Sequence, residues 1–190
     1  LKARSNLVGS SLASHQLDQP GSLLVVCGKG NNGGDGFVIA RAAAKDGWNV
    51  TALLAEGEPK TTDAITNFER LHSLSVNICA DCTVLETQHF DVVVDALYGT
   101  GFHGALRPSG LAACGLMNRL HKSGAFVLAV DLPSGINTDT GEVAEGAAHA
   151  DLTVTFDSYK PLHVAESSAP LCGKIVCSDI GIRDEWHPEF

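Results

Sequence analysis

Short apolar runs recur along the chain, separated by stretches in which apolar positions return every three or four residues. The runs Leu23–Cys27, Val50–Leu54, Val92–Ala96, Phe126–Val130 and Leu152–Phe156 are brief, largely β-branched and nearly continuous. A strand covered on both faces needs that composition, so these runs predict the buried strands of a parallel sheet. Lys174–Cys177 predicts a sixth strand and Val76–Cys79 a weaker one. Between them the spacing predicts helices over Gly36–Asp46, Thr62–His72 and Leu111–Lys122, with Thr61, Thr62 and Asp63 as capping residues for the second. Lys2–Gln16 predicts one more helix, with Leu7, Val8 and Leu12 on one face. Strands alternating with helices predict an α/β fold of three layers, a Rossmann-like, doubly wound, mostly parallel sheet. No repeat, low-complexity stretch or long linker divides the chain, so residues 1–190 are expected to form a single domain.

Composition narrows the function classes. The chain has 190 residues, 44% hydrophobic and 18% charged, which suits a folded domain with a buried core. A formal net charge of −9 disfavours a nucleic-acid partner, which would need clustered Lys and Arg. No apolar run approaches the length of a membrane span. No signal-like stretch follows Leu1, and the first residue is not Met, so a processed or partial chain is expected. The expected compartment is reducing and cytoplasmic, with a mitochondrial setting as the alternative. Of six cysteines, four lie in or beside apolar runs, where a free thiol acts as a small hydrophobe. Cys79 and Cys82 have the spacing of half a zinc site, but no second pair completes it.

The stretch after the first apolar run concentrates the chemistry. Gly28, Gly30 and Gly33 satisfy G-x-G-x-x-G, and the longer string Asn31-Asn32-Gly33-Gly34-Asp35-Gly36 is more specific. A strand, a glycine loop and a helix present backbone N–H groups to an anion. The glycines are expected to give positive φ and close approach of a ligand. A carboxylate at the tip repels phosphate, so Asp35 implies a loop that handles something besides phosphate alone.

Two further predicted strands carry an acid at their ends, Asp95 and Asp131, and ligands bind at the carboxyl ends of such strands. Each acid alone is also an ordinary turn residue. Carboxylates sharing a pocket repel, unless a cation sits among them or one stays protonated as an acid. Asn32, Asp95 and Ser134 are hard oxygen donors, which suit an alkali or alkaline-earth ion rather than zinc. The loop Gly99-Thr100-Gly101-Phe102-His103-Gly104 can cradle a phosphate through backbone N–H groups, or simply connect two elements. His103 is a candidate proton carrier. Lys160, just past a predicted strand, could neutralise phosphate or move a proton, or remain a solvated surface residue. The chain has neither G-x-x-x-x-G-K-[ST] nor G-x-S-x-G, so a P-loop NTPase and a serine hydrolase are not expected. In a conventional NAD dehydrogenase, Glu56 would be the ribose-binding acid, but Asn31, Asn32 and Asp35 would then lack a purpose.

Four separated strings, GKGNNGGDGFVIAR, VDALYGTGFHG, VDLPSGINTDTGEV and TVTFDSYKP, together with the closing GKIVCSDIGI, resemble the YjeF N-terminal domain family, the NAD(P)HX epimerases. The resemblance covers roughly residues 20 to 182. It implies a Rossmann-like fold and interconversion of the R and S forms of NADHX and NADPHX, the hydrated nicotinamide cofactors. It implies one potassium ion per subunit, held by Asn32, Asp95 and Ser134. Substrate contacts would come from Asn31, Asn32, Gly33, Gly34 and Asp35, from Gly99, Thr100, Gly101, Phe102, His103, Gly104 and Ala105, and from Asp131. The hydroxyl would leave as water and return on the other ring face, with Asp131 as acid and base and Lys160 assisting. The resemblance also implies a homodimer, with an N-terminal helical segment shortened here, and a dehydratase or an apolipoprotein as protein partner. A catalytically inactive dimerising scaffold of the same fold is the second reading. An NAD(P)-dependent oxidoreductase is the third.

Overall fold

The structure, a computed structural model, describes residues 20–181. The elements in chain order are β1 Ser22–Cys27, α1 Asn31–Lys45, β2 Asn49–Leu54, α2 Thr62–Glu69, β3 Val76–Cys79, β4 Val92–Ala96, α3 Pro108–Lys122, β5 Phe126–Val130, β6 Leu152–Phe156 and β7 Lys174–Ser178. The helix expected over Lys2–Gln16 lies outside the described residues. The seven strands form one sheet in the order β3-β2-β1-β4-β5-β6-β7. Every neighbouring pair is parallel, so the sheet expected to be mostly parallel is wholly so among the described residues.

Alternate residues of β1 feed two cores. Leu23, Val25 and Cys27 pack with Phe37 and Ala40 of α1 and Ala64 of α2. Leu24 and Val26 share the opposite core with Ala113, Cys114, Met117 and Leu120 of α3. Both faces of the strand are therefore dry, which is why its sequence is an unbroken apolar run rather than an alternating one. Burial drives the Cys27 and Cys114 thiols upward and pushes Cys172 up to about 11, so these cysteines are packing residues.

The main departure from the expected elements is α1, which begins at Asn31 rather than Gly36. The string Asn31–Gly36 is the helix's first turns, not a loop. Nor does any glycine from Gly28 to Gly36 have positive φ. At Gly28 and Gly33 the cause is crowding: a Cβ on Gly28 would lie 1.9 Å from the Leu97 carbonyl oxygen, and one on Gly33 would lie 1.8 Å from the Gly28 carbonyl oxygen, whereas one on Gly30 would meet nothing within 4 Å. The helix thus starts almost in contact with the ends of β1 and β4. Gly33→Ala should cost about 3 kcal/mol, at the upper end of overpacking penalties. The check is a lower urea midpoint with an unchanged m value.

The other helices shift less. α3 starts at Pro108, where a residue without an N–H fits the first turn. α2 ends at Glu69, because Leu71 and His72 donate to Phe68 and Glu69 and tighten the chain into turns. Thr61 stands at its N-cap but makes no capping bond, and its buried Oγ1 has no partner among the described residues.

Candidate functional site

β1 lies between β2 and β4, so the chain leaves β1 in one direction and returns through β4 to build the other half of the sheet. A cleft opens at the carboxyl ends of the strands where the winding reverses. Here it is a cavity of about 550 Å³. Its wall comes from the start of α1 (Gly30, Asn31, Asn32, Asp35), from the segment after β4 (Leu97 to His103, with Ala105 and Arg107), and from Lys29, Glu56, Asp131 and Phe156. The first N–H groups of α1 have no partner within the helix, which favours an anion at this mouth.

Of the expected substrate contacts, Asn31, Asn32, Asp35, Gly99, Thr100, Gly101, Phe102, His103, Ala105 and Asp131 line the cavity. Gly33 and Gly34 do not. They are buried in α1, where Gly34 packs against Ala64. Gly104 is also outside the lining; it is an exposed turn residue with φ of +75°. Phe102 is buried and stacks on Tyr98 with ring centroids 5.1 Å apart, so it shapes the wall. His103 Nδ1 lies 3.2 Å from Asn137 Nδ2.

The three expected cation ligands meet around one residue, Tyr98. Asn32 Nδ2 donates to the Tyr98 carbonyl at 2.8 Å, and the Tyr98 N–H donates to Ser134 Oγ at 3.0 Å. Ser134 Oγ donates to Asp95 Oδ1 at 2.6 Å, and Ser134 N to Asp95 Oδ2 at 2.7 Å. Leu97 N adds a third donor to Asp95 at 3.2 Å. Asp95 is fully buried, and no Lys, Arg or His pairs with it among the described residues. Desolvation pushes its carboxyl up to about 6, outweighing the three hydrogen bonds that pull the other way. The donor set suits a hard alkali or alkaline-earth cation. Asn32 Oδ1 takes no hydrogen bond among the described residues, Asp95 keeps acceptor capacity, and the buried carboxylate lacks a countercharge.

Asp131 need not rely on a cation or a shared proton to offset its charge. It pairs with Lys160 instead, Nζ to Oδ1 at 2.6 Å. Lys160 is not a surface residue; its side chain is 18% exposed, and Nζ also donates to Thr155 Oγ1 at 2.7 Å and the Phe156 carbonyl at 2.9 Å. Thr155 Oγ1 in turn donates to Asp131 Oδ1 at 2.9 Å. All these contacts fall on Oδ1, and Oδ2 accepts none among the described residues. Asp131 has φ of +71°, a left-handed geometry that Asp tolerates better than most residues and that recurs at functional sites.

Several residues at or behind the wall were not among the expected substrate contacts. Glu56 follows β2, lies 3.6 Å from Lys29, and accepts from the Tyr98 hydroxyl at 2.8 Å. Burial and the Glu56 contact push the Tyr98 phenol upward, so it serves as a hydrogen-bond donor. Glu56 was visible only as a would-be ribose ligand, and its real partners lie far off in sequence. Arg107 and Lys29 bring positive charge to the cavity. Thr155 and His163 carried no signal, because only the fold brings them to Asp131.

Known proteins resemble the chain in sequence and in fold. The family model described as YjeF-related protein N-terminus matches residues 6–162. The chain is 39% identical over 173 residues to the "Bifunctional NAD(P)H-hydrate repair enzyme Nnr" of Methanothermobacter thermautotrophicus, covering 85% of this chain and 32% of that protein. It is 40% identical over 171 residues to the like-named protein of Pyrobaculum aerophilum, covering 86% and 33%. The chain therefore spans about a third of the length of these curated relatives. A solved structure titled "Crystal structure of yeast ynu0, YNL200c" superposes with a TM-score of 0.72 at 21% identity, over 87% of this chain and 73% of that one, and so shares the fold. By sequence, the chain belongs to the YjeF-related protein N-terminus family.

Proposed function

We propose that the chain is an isomerase that interconverts the R and S forms of NADHX and NADPHX. The observation that carries this reading is the Asp131–Lys160 pair, set at the wall of a dinucleotide-sized cavity beside a buried oxygen cup. The relatives' printed names, which speak of NAD(P)H-hydrate repair, support it.

Epimerisation moves no hydride. The hydroxyl on the hydrated ring must leave as water and return on the opposite face, which needs a group that gives a proton and takes it back. Lys160 and Asp131 hold a proton between Nζ and Oδ1. A proton carried on Asp131 Oδ2 and given to the hydroxyl lets water depart, and the carboxylate left behind, still paired with Lys160 at Oδ1, faces the cationic ring. The same carboxylate then accepts the proton of the incoming water. Thr155 fixes the carboxyl's rotation, so Oδ2 serves the substrate. The α1 N-terminus, the N–H groups of Gly99 to Ala105, and Arg107 and Lys29 would orient the phosphates. Asn32, Asp95 and Ser134 would hold one potassium ion, which supplies positive charge beside the phosphates and ties the cup to the Tyr98 loop.

The test is direct. One NADHX epimer, incubated with the purified chain in potassium buffer, should relax to the R/S mixture far faster than without protein, as read by chromatography. No NADH oxidation should follow when the chain meets NADH and a panel of aldehydes. Equal relaxation with and without protein would remove the epimerase reading. Oxidation of NADH would favour the oxidoreductase.

A further inference from the structure

His163 sits in a short 3-10 turn, Pro161–His163, behind the Asp131–Lys160 pair, and is 3% exposed. Its two ring nitrogens face opposite kinds of group. The Lys160 backbone N–H reaches Nδ1 at 3.0 Å, so Nδ1 must accept. Nε2 lies 3.0 Å from the Asp131 carbonyl oxygen, which can only accept, so Nε2 must carry the proton. One tautomer of the neutral ring satisfies both contacts, and neither the other tautomer nor the imidazolium does.

We propose that His163 is a positioning residue for the reaction: as its Nε2–H tautomer it bridges the backbones of Asp131 and Lys160 and holds the two side chains at proton-transfer distance. The two residues sit on different strands' ends, β5 and the segment after β6, and each is otherwise anchored on one side. Asp131 N donates to the Val154 carbonyl at 2.9 Å, and its carbonyl, turned by the left-handed φ, goes to His163. Lys160 reaches Asp131 with its side chain, while its backbone N–H is held by the same ring. The charged and titratable groups against the ring are Lys160 and Asp131, with Tyr159 edge-on at 6.1 Å. Burial first, then the Lys160 charge, hold the ring below the ordinary imidazole range, in keeping with a neutral state. A Leu at 163 would fill the space and bridge nothing. A Gln could still donate to the Asp131 carbonyl.

The inference rests on the epimerase reading only where turnover is measured, and its first test is independent of it. In proton–nitrogen correlation spectra of the chain labelled at histidine, at pH 7.5, the signal lost in His163→Gln identifies the residue. It should report a protonated Nε2 and a bare Nδ1. A bare Nε2 or a doubly protonated ring would overturn the proposal. In the second test, His163→Leu should lower kcat about tenfold with KM within twofold, and His163→Gln should recover most of that loss. A Leu variant with wild-type kcat, or a loss confined to KM, would overturn it. If Leu does not fold, a Gln variant whose kcat falls as far as that of Lys160→Ala would overturn it equally. A wild-type chain without turnover would sink the epimerase reading and leave the spectra to decide the tautomer and the bridge.

Discussion

Asp131→Asn should lower R/S equilibration of NADHX by about a hundredfold or more, the usual worth of a positioned acid/base group. The substitution keeps the shape of the side chain. Asn also tolerates the left-handed backbone at this position, and its carbonyl oxygen can still accept from Thr155 and Lys160. The fold and KM should therefore change little, and the loss should fall on kcat. Chromatographic progress curves at saturating substrate, paired with a melting curve of the variant, measure both. A variant that turns over at the wild-type rate would show that the proton comes from elsewhere.

Potassium should raise the melting temperature by about 5–10 °C at pH 8 and by much less at pH 5. The size follows from a ligand present at about a hundred times its dissociation constant, worth about 2.7 kcal/mol, in a chain where each kcal/mol shifts the midpoint by about 2–4 °C. The pH dependence follows from Asp95. Burial raises its folded-state value to about 6, above that of the unfolded chain. Such a group favours the fold below the unfolded value, and that contribution is lost as pH rises through about 6. At pH 8 the buried carboxylate is ionised and without a countercharge, so a cation has most to offer. At pH 5 a proton already occupies the group and competes with the ion. Melting curves in potassium chloride and in choline chloride of equal ionic strength should diverge with rising pH, and Asp95→Asn should bring them together. Superimposable curves at pH 8 would mean that the cup holds no potassium.

The sheet could be read from the chain because burial on both faces leaves its mark on every residue of a central strand. β4, β5 and β6 begin and end where their apolar runs do. The start of α1 could not, since glycines in sequence look like a loop. Only the nearness of the Gly28 carbonyl shows why the helix has no side chain at position 33, and that of the Leu97 carbonyl why position 28 has none. The same limit applied to the site. Asn32, Asp95 and Ser134 carry recognisable chemistry, and the fold brings them together at Tyr98. Of the three acids expected on one rim, Asp131 has as its partner a lysine 29 residues further along, which spacing in the chain does not reveal. Thr155 and His163 act through position alone, and position is what a linear reading lacks.

The order of the strands also sets how the site weathers thermal fluctuation. The edge strands β3 and β7 are only partly covered, whereas β1, β4 and β5 are dry along nearly their whole length. Transient local openings start at such margins. The oxygen cup hangs from the central strands, so it should outlast openings that peel away β7 and loosen the segment carrying Lys160. On the proposed function, the molecule would then keep its grip on an ion while its proton-transfer apparatus briefly comes apart and re-forms.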